Sequence, residues 1–193
     1  MHHIYHTEGI VFSSKNIGES GRYYKIFTKD LGMITARAEG VRKISSKLRY
    51  ILQDFSYLKI DLIKGKNFWK ITSASKTNLL EDITKNKDTF RIFSNILNLL
   101  SRLLSGEEVN TPLFFDIKSG LIILESVSTK TDLKNTEVVL VLRILKHLGY
   151  ISENKILTKY INSSFEKSLI SKVSIDRKNI LREINRALKE TQL

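Results

Sequence analysis

Any chemistry in this chain has to come from its cations, because the groups that usually carry catalysis are few and poorly spaced. There are four histidines and no cysteine among the 193 residues. The missing thiols exclude a disulfide framework, a thiolate nucleophile and any thiolate zinc or iron–sulfur site. His2, His3 and His6 cluster at the start of the chain; imidazoles so close can share a metal, but a solvated terminal segment is the simpler account. His147 lacks the acidic neighbours of a triad. The adjacent carboxylates Glu81-Asp82 and Glu107-Glu108 fall at helix boundaries, where they complement a helix end better than they perform acid–base work. No phosphate-binding GxxxxGK[ST], dinucleotide-binding GxGxxG or metalloprotease HExxH sequence is present. Neither catalytic residues nor a cofactor nor a metal is expected.

The cations are abundant and concentrated. The formal charge is +12, from 32 Lys and Arg against 20 Asp and Glu. Such a balance favours polyanionic partners, nucleic acid first and an anionic membrane surface second. Within Gly18–Arg49, eight cations (Arg22, Lys25, Lys29, Arg37, Arg42, Lys43, Lys47 and Arg49) face three anions, and Arg42–Arg49 contains no acid at all. Interleaved with them are Tyr23, Tyr24, Phe27, Tyr50, Tyr57, Phe68 and Trp69. A cationic groove with aromatic faces for bases to stack on is what single-strand-binding barrels use. The alternative place for each ring is the core, favoured for Tyr24, Phe27 and Phe68. Trp69 and Tyr57 alternate with polar positions, which makes Trp69 a candidate stacking residue.

The elements that would hold these residues are short strands. Residues 4–14 are β-branched and aromatic, and turn chemistry follows at Asn16–Gly21. Arg22–Thr28, Met33–Val41, Tyr57–Lys64 and Phe68–Ala74 supply four more. In the third, Ile34, Ala36 and Ala38 alternate with Thr35, Arg37 and Glu39, which puts Arg37 on the wet side. In the fourth, Leu58, Ile60 and Leu62 point inward and Tyr57, Lys59 and Asp61 outward. Five strands with a longer connection before the fourth suit an OB-type barrel, and an SH3-like barrel on strand count alone.

From Leu79 the apolar period becomes helical. Phe90, Ile92, Phe93, Ile96, Leu97 and Leu100 surround a polar stripe of Arg91, Asn95, Asn98 and Arg102. Thr111-Pro112 offers an N-cap and first-turn proline for a second helix, in which Gly120 marks close packing against a neighbour. A third helix, Leu133–Leu148, stops at Gly149. Ser163–Glu166 resembles a capping box, and Asp176–Glu190 carries Ile180, Leu181, Ile184, Ala187 and Leu188 on one face. On the third helix Arg143, Lys146 and His147 stand at i, i+3 and i+4, a cationic edge suited to an acidic peptide or to the ordinary outer face of an amphipathic helix. The chain therefore reads as α+β, an N-terminal five-stranded OB-type barrel over residues 1–76 followed by an all-helical domain over 77–193. The first 75 residues hold 13 Lys and Arg against 6 Asp and Glu, and the remainder 19 against 14. No apolar run approaches the ~20 residues a membrane span requires, and no secretory signal is expected from the first ten residues.

The N-terminal half resembles the RecO family of recombination mediators. The likeness runs through Gly18-Glu19-Ser20, Ile26-Phe27-Thr28, Gly32, Ala38-Glu39-Gly40-Val41-Arg42 and Leu52-Gln53-Asp54-Phe55, then Leu58, Ile60 and Leu62. Leu142-Arg143-Ile144-Leu145 through Leu148-Gly149-Tyr150 resembles the family's helical domain. The resemblance implies an OB-fold, a helical domain, no catalytic residues, and a cytoplasmic, nucleoid-associated bacterial protein. It implies binding of single- and double-stranded DNA, strand annealing, and loading of a recombinase onto DNA coated with single-strand-binding protein. RecR and the acidic, hydrophobic-ended tail of that coating protein are the implied partners. The resemblance implies DNA contact at Arg22, Arg37, Arg42, Lys43, Lys47 and Arg49 and tail contact on the helix of Arg143 and Lys146; the residue pattern itself adds Lys25 and Trp69 to the DNA candidates and His147 to the partner edge. Many members carry a four-cysteine zinc site after the Leu-Gly-Tyr segment; Ile151–Lys172 has no cysteine, so zinc is expected to be absent. Two other readings fit the residues: an adaptor taking an acidic protein through the Arg143 helix, and an RNA-binding barrel.

Overall fold

The computed structural model describes residues 3–152 and 154–190; His2 of the N-terminal cluster lies outside them. The chain forms two compact units. One takes in residues up to Glu81 together with Leu104–Phe114, the other Asp82–Leu103 and the residues from Phe115 on. A single cut at residue 76 is therefore not how the contacts divide: the segment after the first long helix returns to the barrel unit and places Phe114 against it.

The first unit is a closed barrel of β1 (Ile4–Ile17), β2 (Gly21–Thr28), β3 (Gly32–Ala38), β4 (Tyr57–Lys64) and β5 (Trp69–Lys76), in the order β1-β2-β3-β5-β4. A one-turn helix, α1 (Leu48–Ile51), lies in the β3–β4 connection. The closing pair β3–β5 is parallel, through Ala36↔Trp69 and Arg37↔Lys70, and every other pair is antiparallel. That order is OB-type and decides against the SH3-like alternative. β1 serves two partners, β4 through its first half and β2 through its second, and a register shift between Val11 and Ser13 bends it between them. β1 runs past the expected Ser14, and β3 stops at Ala38 because Gly40, at φ +64°, turns the chain away.

Alternation fills the barrel as the sequence suggests. Tyr24, Ile26, Ile34, Ala36, Ala38, Leu58, Ile60, Leu62 and Ile71 all point into one core. Each large side chain so buried contributes roughly 1.5–3 kcal/mol of transfer free energy. Tyr57 does lie on the outward face of β4, yet it is only 2% exposed. The Phe114 ring sits 6.3 Å from it, and its hydroxyl donates to Glu8. Phe27 packs against the same Phe114 ring at 5.4 Å and against Phe12 at 6.3 Å. One end of the outer barrel surface is thus a second apolar layer rather than a wet face.

The second unit is helical: α2 (Lys87–Leu103), most of α3 (Thr111–Ser126), α4 (Lys130–His147), α5 (Lys155–Ile161) and α6 (Lys167–Glu190). α2 buries Ile92, Phe93, Ile96, Leu97 and Leu100 and exposes the stripe Arg91, Asn95, Asn98 and Arg102. α4 is the central helix, packed on α2, α5 and α6. Thr129 caps its start by accepting from the Asp132 amide, and Gly149, at φ +80°, follows its last turn. Gly120 on α3 faces Leu140 of α4 so closely that a Cβ there would collide with its side chain. Two caps differ from the sequence reading. Asn110, not Thr111, accepts from the Leu113 amide at 3.0 Å. The Glu166 carbonyl, not Ser163, takes the first α6 amides, from Leu169 and Ile170.

Candidate nucleic-acid interface

The strand register assembles a row of side chains across the outside of the barrel. Lys15 pairs with Tyr23, Tyr23 with Arg37, and Arg37 with Lys70, so four strands present consecutive members of one line. The Arg37 guanidinium stands 6.0 Å from the Tyr23 ring centroid and 5.8 Å from that of Phe68. Its Nε lies 2.7 Å from Glu39 Oε1, an ion pair on a side chain that is half-buried. Tyr23 and Phe68 meet edge to face, with centroids 5.4 Å apart and planes at 75°. Lys25 sits one row along, opposite Thr35. The face between strands 2 and 3 and the loop joining strands 4 and 5 are where OB barrels take oligonucleotides.

The remaining cations gather at one end of the same barrel. Arg22 Nε donates to Asn16 Oδ1 at 2.8 Å, and Arg42 Nη1 donates to the Gly18 carbonyl at 3.1 Å. The Arg42 amide also donates to the Ser20 carbonyl, so the basic β3–β4 connection is pinned at its root to the β1–β2 turn. Arg22, Val41, Arg42 and Arg49 line a cleft of about 220 Å³. Lys43 and Lys47 are exposed just beyond it. Among the described residues, no carboxylate forms an ion pair with Arg22, Arg42, Lys43, Lys47 or Arg49. Beneath Arg22, burial holds the Tyr24 phenol above its ordinary pKa against the pull of that guanidinium, so the ring adds no negative charge to the cleft.

Trp69 does not belong to this surface. It is 2% exposed, its indole nitrogen donates to Glu107 Oε1 at 2.8 Å, and its ring stands 5.0 Å from that of Tyr5 in the barrel core. Alternate residues of a strand point to the same face, and β5 begins at Trp69, with Phe68 just before it in the β4–β5 turn. Trp69 shares its side with Ile71, a signal present in the sequence, and the outer ring is Phe68. Phe68, for which the core is favoured in the sequence, is half-buried against Tyr23 and Arg37, and Lys15 and Lys70, which the sequence does not single out, share the row of Tyr23.

The edge expected on α4 is internal. Arg143 is 4% exposed. Its Nη1 lies 2.6 Å from Asp116 Oδ1, and its Nε donates to the Tyr160 carbonyl at 2.9 Å. A further nitrogen donates to the Ser163 carbonyl, and the Phe165 ring covers the guanidinium at 4.8 Å. His147 Nε2 meets the other Asp116 oxygen at 2.7 Å. Burial pushes the Asp116 carboxyl up, but the His147 hydrogen bond and the Arg143 charge outweigh it and hold the pKa below the ordinary value. The i, i+4 spacing does put Arg143 and His147 on one face, but that face ties α4 to α3 and α5 instead of receiving a peptide. Lys146, the third of these residues, is half-buried. Among the described residues no cluster of three or more His, Asp or Glu suits a metal. No described helix is long and apolar enough to cross a membrane.

A closed OB-type barrel with a cationic, aromatic outer face, followed in the chain by a helical unit, defines an OB-fold protein in architecture. Residues 1–79 match the family model described as "Recombination protein O N terminal". The chain is 29% identical over 145 residues to the DNA repair protein RecO of Caldanaerobacter subterraneus subsp. tengcongensis, covering 75% of this chain and 58% of that protein. It is 31% identical over 152 residues to the RecO of Thermodesulfovibrio yellowstonii, covering 78% and 60% respectively. To the RecO of Desulfitobacterium hafniense it is 28% identical over 147 residues, covering 76% and 52%. These matches support the RecO family for this chain. Its matched part spans between half and three fifths of the length of these relatives.

Proposed function

We propose that this chain is a DNA-binding and strand-annealing protein of recombinational repair that acts by electrostatics and stacking, with no covalent chemistry. The observation that carries the reading is the set of Arg22, Arg42, Lys43, Lys47 and Arg49 at one end of an OB barrel, none held by a carboxylate among the described residues. Phosphate neutralisation releases counterions and shields the repulsion between two strands, which is what complementary strands need in order to meet. The Tyr23–Arg37–Phe68 group adds faces on which bases stack irrespective of sequence. The adaptor alternative is weaker, since its central residue, Arg143, is spent on internal hydrogen bonds. RecR and the acidic tail of single-strand-binding protein are proposed as partners, and the cytoplasmic nucleoid as the location, on the family relationship.

The test is salt-dependent binding of a labelled single strand, with annealing followed in the same samples. If about four phosphates are contacted, log K falls against log salt with a slope of about −3. An affinity indifferent to salt would overturn the reading. An RNA strand of the same sequence, run alongside, shows whether a 2′-hydroxyl is read.

A further inference from the structure

The β3–β4 connection holds an apolar side chain where only solvent or a ligand can meet it. Ile44 is 85% exposed, the most exposed large apolar residue among those described. A lone exposed isoleucine is ordinary, but this one is not on a loose loop. Val41 and Leu52, 2% and 0% exposed, fasten the two ends of the connection in the barrel core. Between them the backbone steps through successive turns. The Lys43 amide donates to the Gly40 carbonyl at 3.0 Å, the Ser46 amide to Lys43 at 3.1 Å, and the Arg49 amide to Ser46 at 3.2 Å. Ile44 is a central residue of the Lys43–Ser46 turn and so stands at its apex. Arg42, Lys43 and Lys47 flank it, and Tyr50, 68% exposed, follows on α1 with the Arg49 guanidinium 5.9 Å from its ring centroid.

We propose that Ile44 is a wedge that enters a stacked base step of DNA held by the cations around it, with Tyr50 beside it as a stacking face. This rests on the DNA-binding reading above. The charge decides the occupant: an apolar protrusion flanked by Arg42, Lys43 and Lys47 attracts a polyanion and repels a basic protein surface, and the stacked bases between two phosphate rows are apolar. Proteins that insert such residues between base steps unstack and kink the duplex, and flexible steps such as TA yield first. Burying one isoleucine offsets the opening of a single step, not of several, so the effect is local.

The experiment uses the full chain with a duplex containing TA steps, read by permanganate oxidation of thymines, which attacks unstacked bases, and by anisotropy of the same duplex. Bound wild-type chain is expected to make one or more thymines hyper-reactive. Ile44→Ser is expected to abolish that reactivity while leaving the slope of log K against log salt unchanged, and Ile44→Leu is expected to keep the reactivity. Binding by the wild type without hyper-reactive thymines, or hyper-reactivity that survives Ile44→Ser, overturns the wedge and leaves the DNA-binding reading intact. An absence of binding at every salt concentration overturns both.

Discussion

Tyr23 and Phe68 meet edge to face on the outside of the barrel, with ring centroids 5.4 Å apart and the Arg37 guanidinium within 6.0 Å of both. Aromatic rings of this kind stabilise single-strand complexes by about 1–3 kcal/mol per stacked base. Tyr23→Ala and Phe68→Ala are therefore each expected to weaken binding of a short single strand by roughly tenfold to a hundredfold, consistent with that stacking range. Because stacking releases no counterions, the salt slope should stay where it is in the wild type. Anisotropy titrations at three salt concentrations separate the intercept from the slope.

Trp69 is the control for that experiment. Its indole is in the core and tied to Glu107, so Trp69→Ala is expected to cost about 3–5 kcal/mol of barrel stability. Denaturant unfolding would show the loss directly. Phe68→Ala, half-buried on the outer face, should cost far less in the same assay.

The basic connection should behave in the opposite way. Each phosphate contact removed from a single-strand complex is expected to flatten the salt slope by about 0.7. Replacing Lys43 and Lys47 with Ala, both exposed and outside any ion pair among the described residues, should lower affinity for all sequences alike and flatten the slope by up to about 1.4. Unfolding curves should coincide with the wild type, since neither side chain is packed.

How much of this could be read before the fold was known depends on the range of the interaction involved. The strands were legible because alternation is local: Ile34, Ala36 and Ala38 against Thr35 and Arg37 needs only neighbours. The same rule, applied to Trp69 and Ile71, would have placed the tryptophan inside; residue type drew attention to it as a stacking face instead. Tyr57 was on the expected face but dry, because Phe114 arrives from a segment after α2 and no local pattern announces it. Arg143 shows the limit most clearly. Helical spacing says which residues share a face, and only the packing of α4 among its neighbours says that this face is internal. The cations of Arg42–Arg49 were legible as a run, while their convergence with Arg22 required the Arg42 hydrogen bonds to Gly18 and Ser20.

Gly32 is a position that no side chain can occupy without strain. It has φ +69°, and a Cβ there would run into the Glu108 carbonyl oxygen. Both terms oppose Gly32→Ala, which is expected to destabilise the barrel unit by on the order of 1–3 kcal/mol. Gly18, with a positive φ of similar size but open space around it, isolates the backbone term: Gly18→Ala should cost less. Paired thermal unfolding of the two variants measures the difference.

The Asp116–Arg143 pair sets an acid limit on the helical unit. Asp116 accepts from Arg143 and from His147, and its carboxyl is held below the ordinary pKa although burial works against this. A depressed carboxyl contributes stability that is complete above its unfolded value and is lost as pH falls toward and through its folded one. The loss should therefore begin at about pH 4 and grow with further acidification. Asp116→Asn keeps the shape but leaves the Arg143 guanidinium, 5% exposed, without its counter-charge, and is expected to cost roughly 3–5 kcal/mol at neutral pH. Unfolding free energies measured from pH 7 to pH 3 should then converge, the wild type falling toward the variant as acid removes the same charge. Parallel curves that keep their separation down to the lowest pH would show that Asp116 acts through packing and not through its charge.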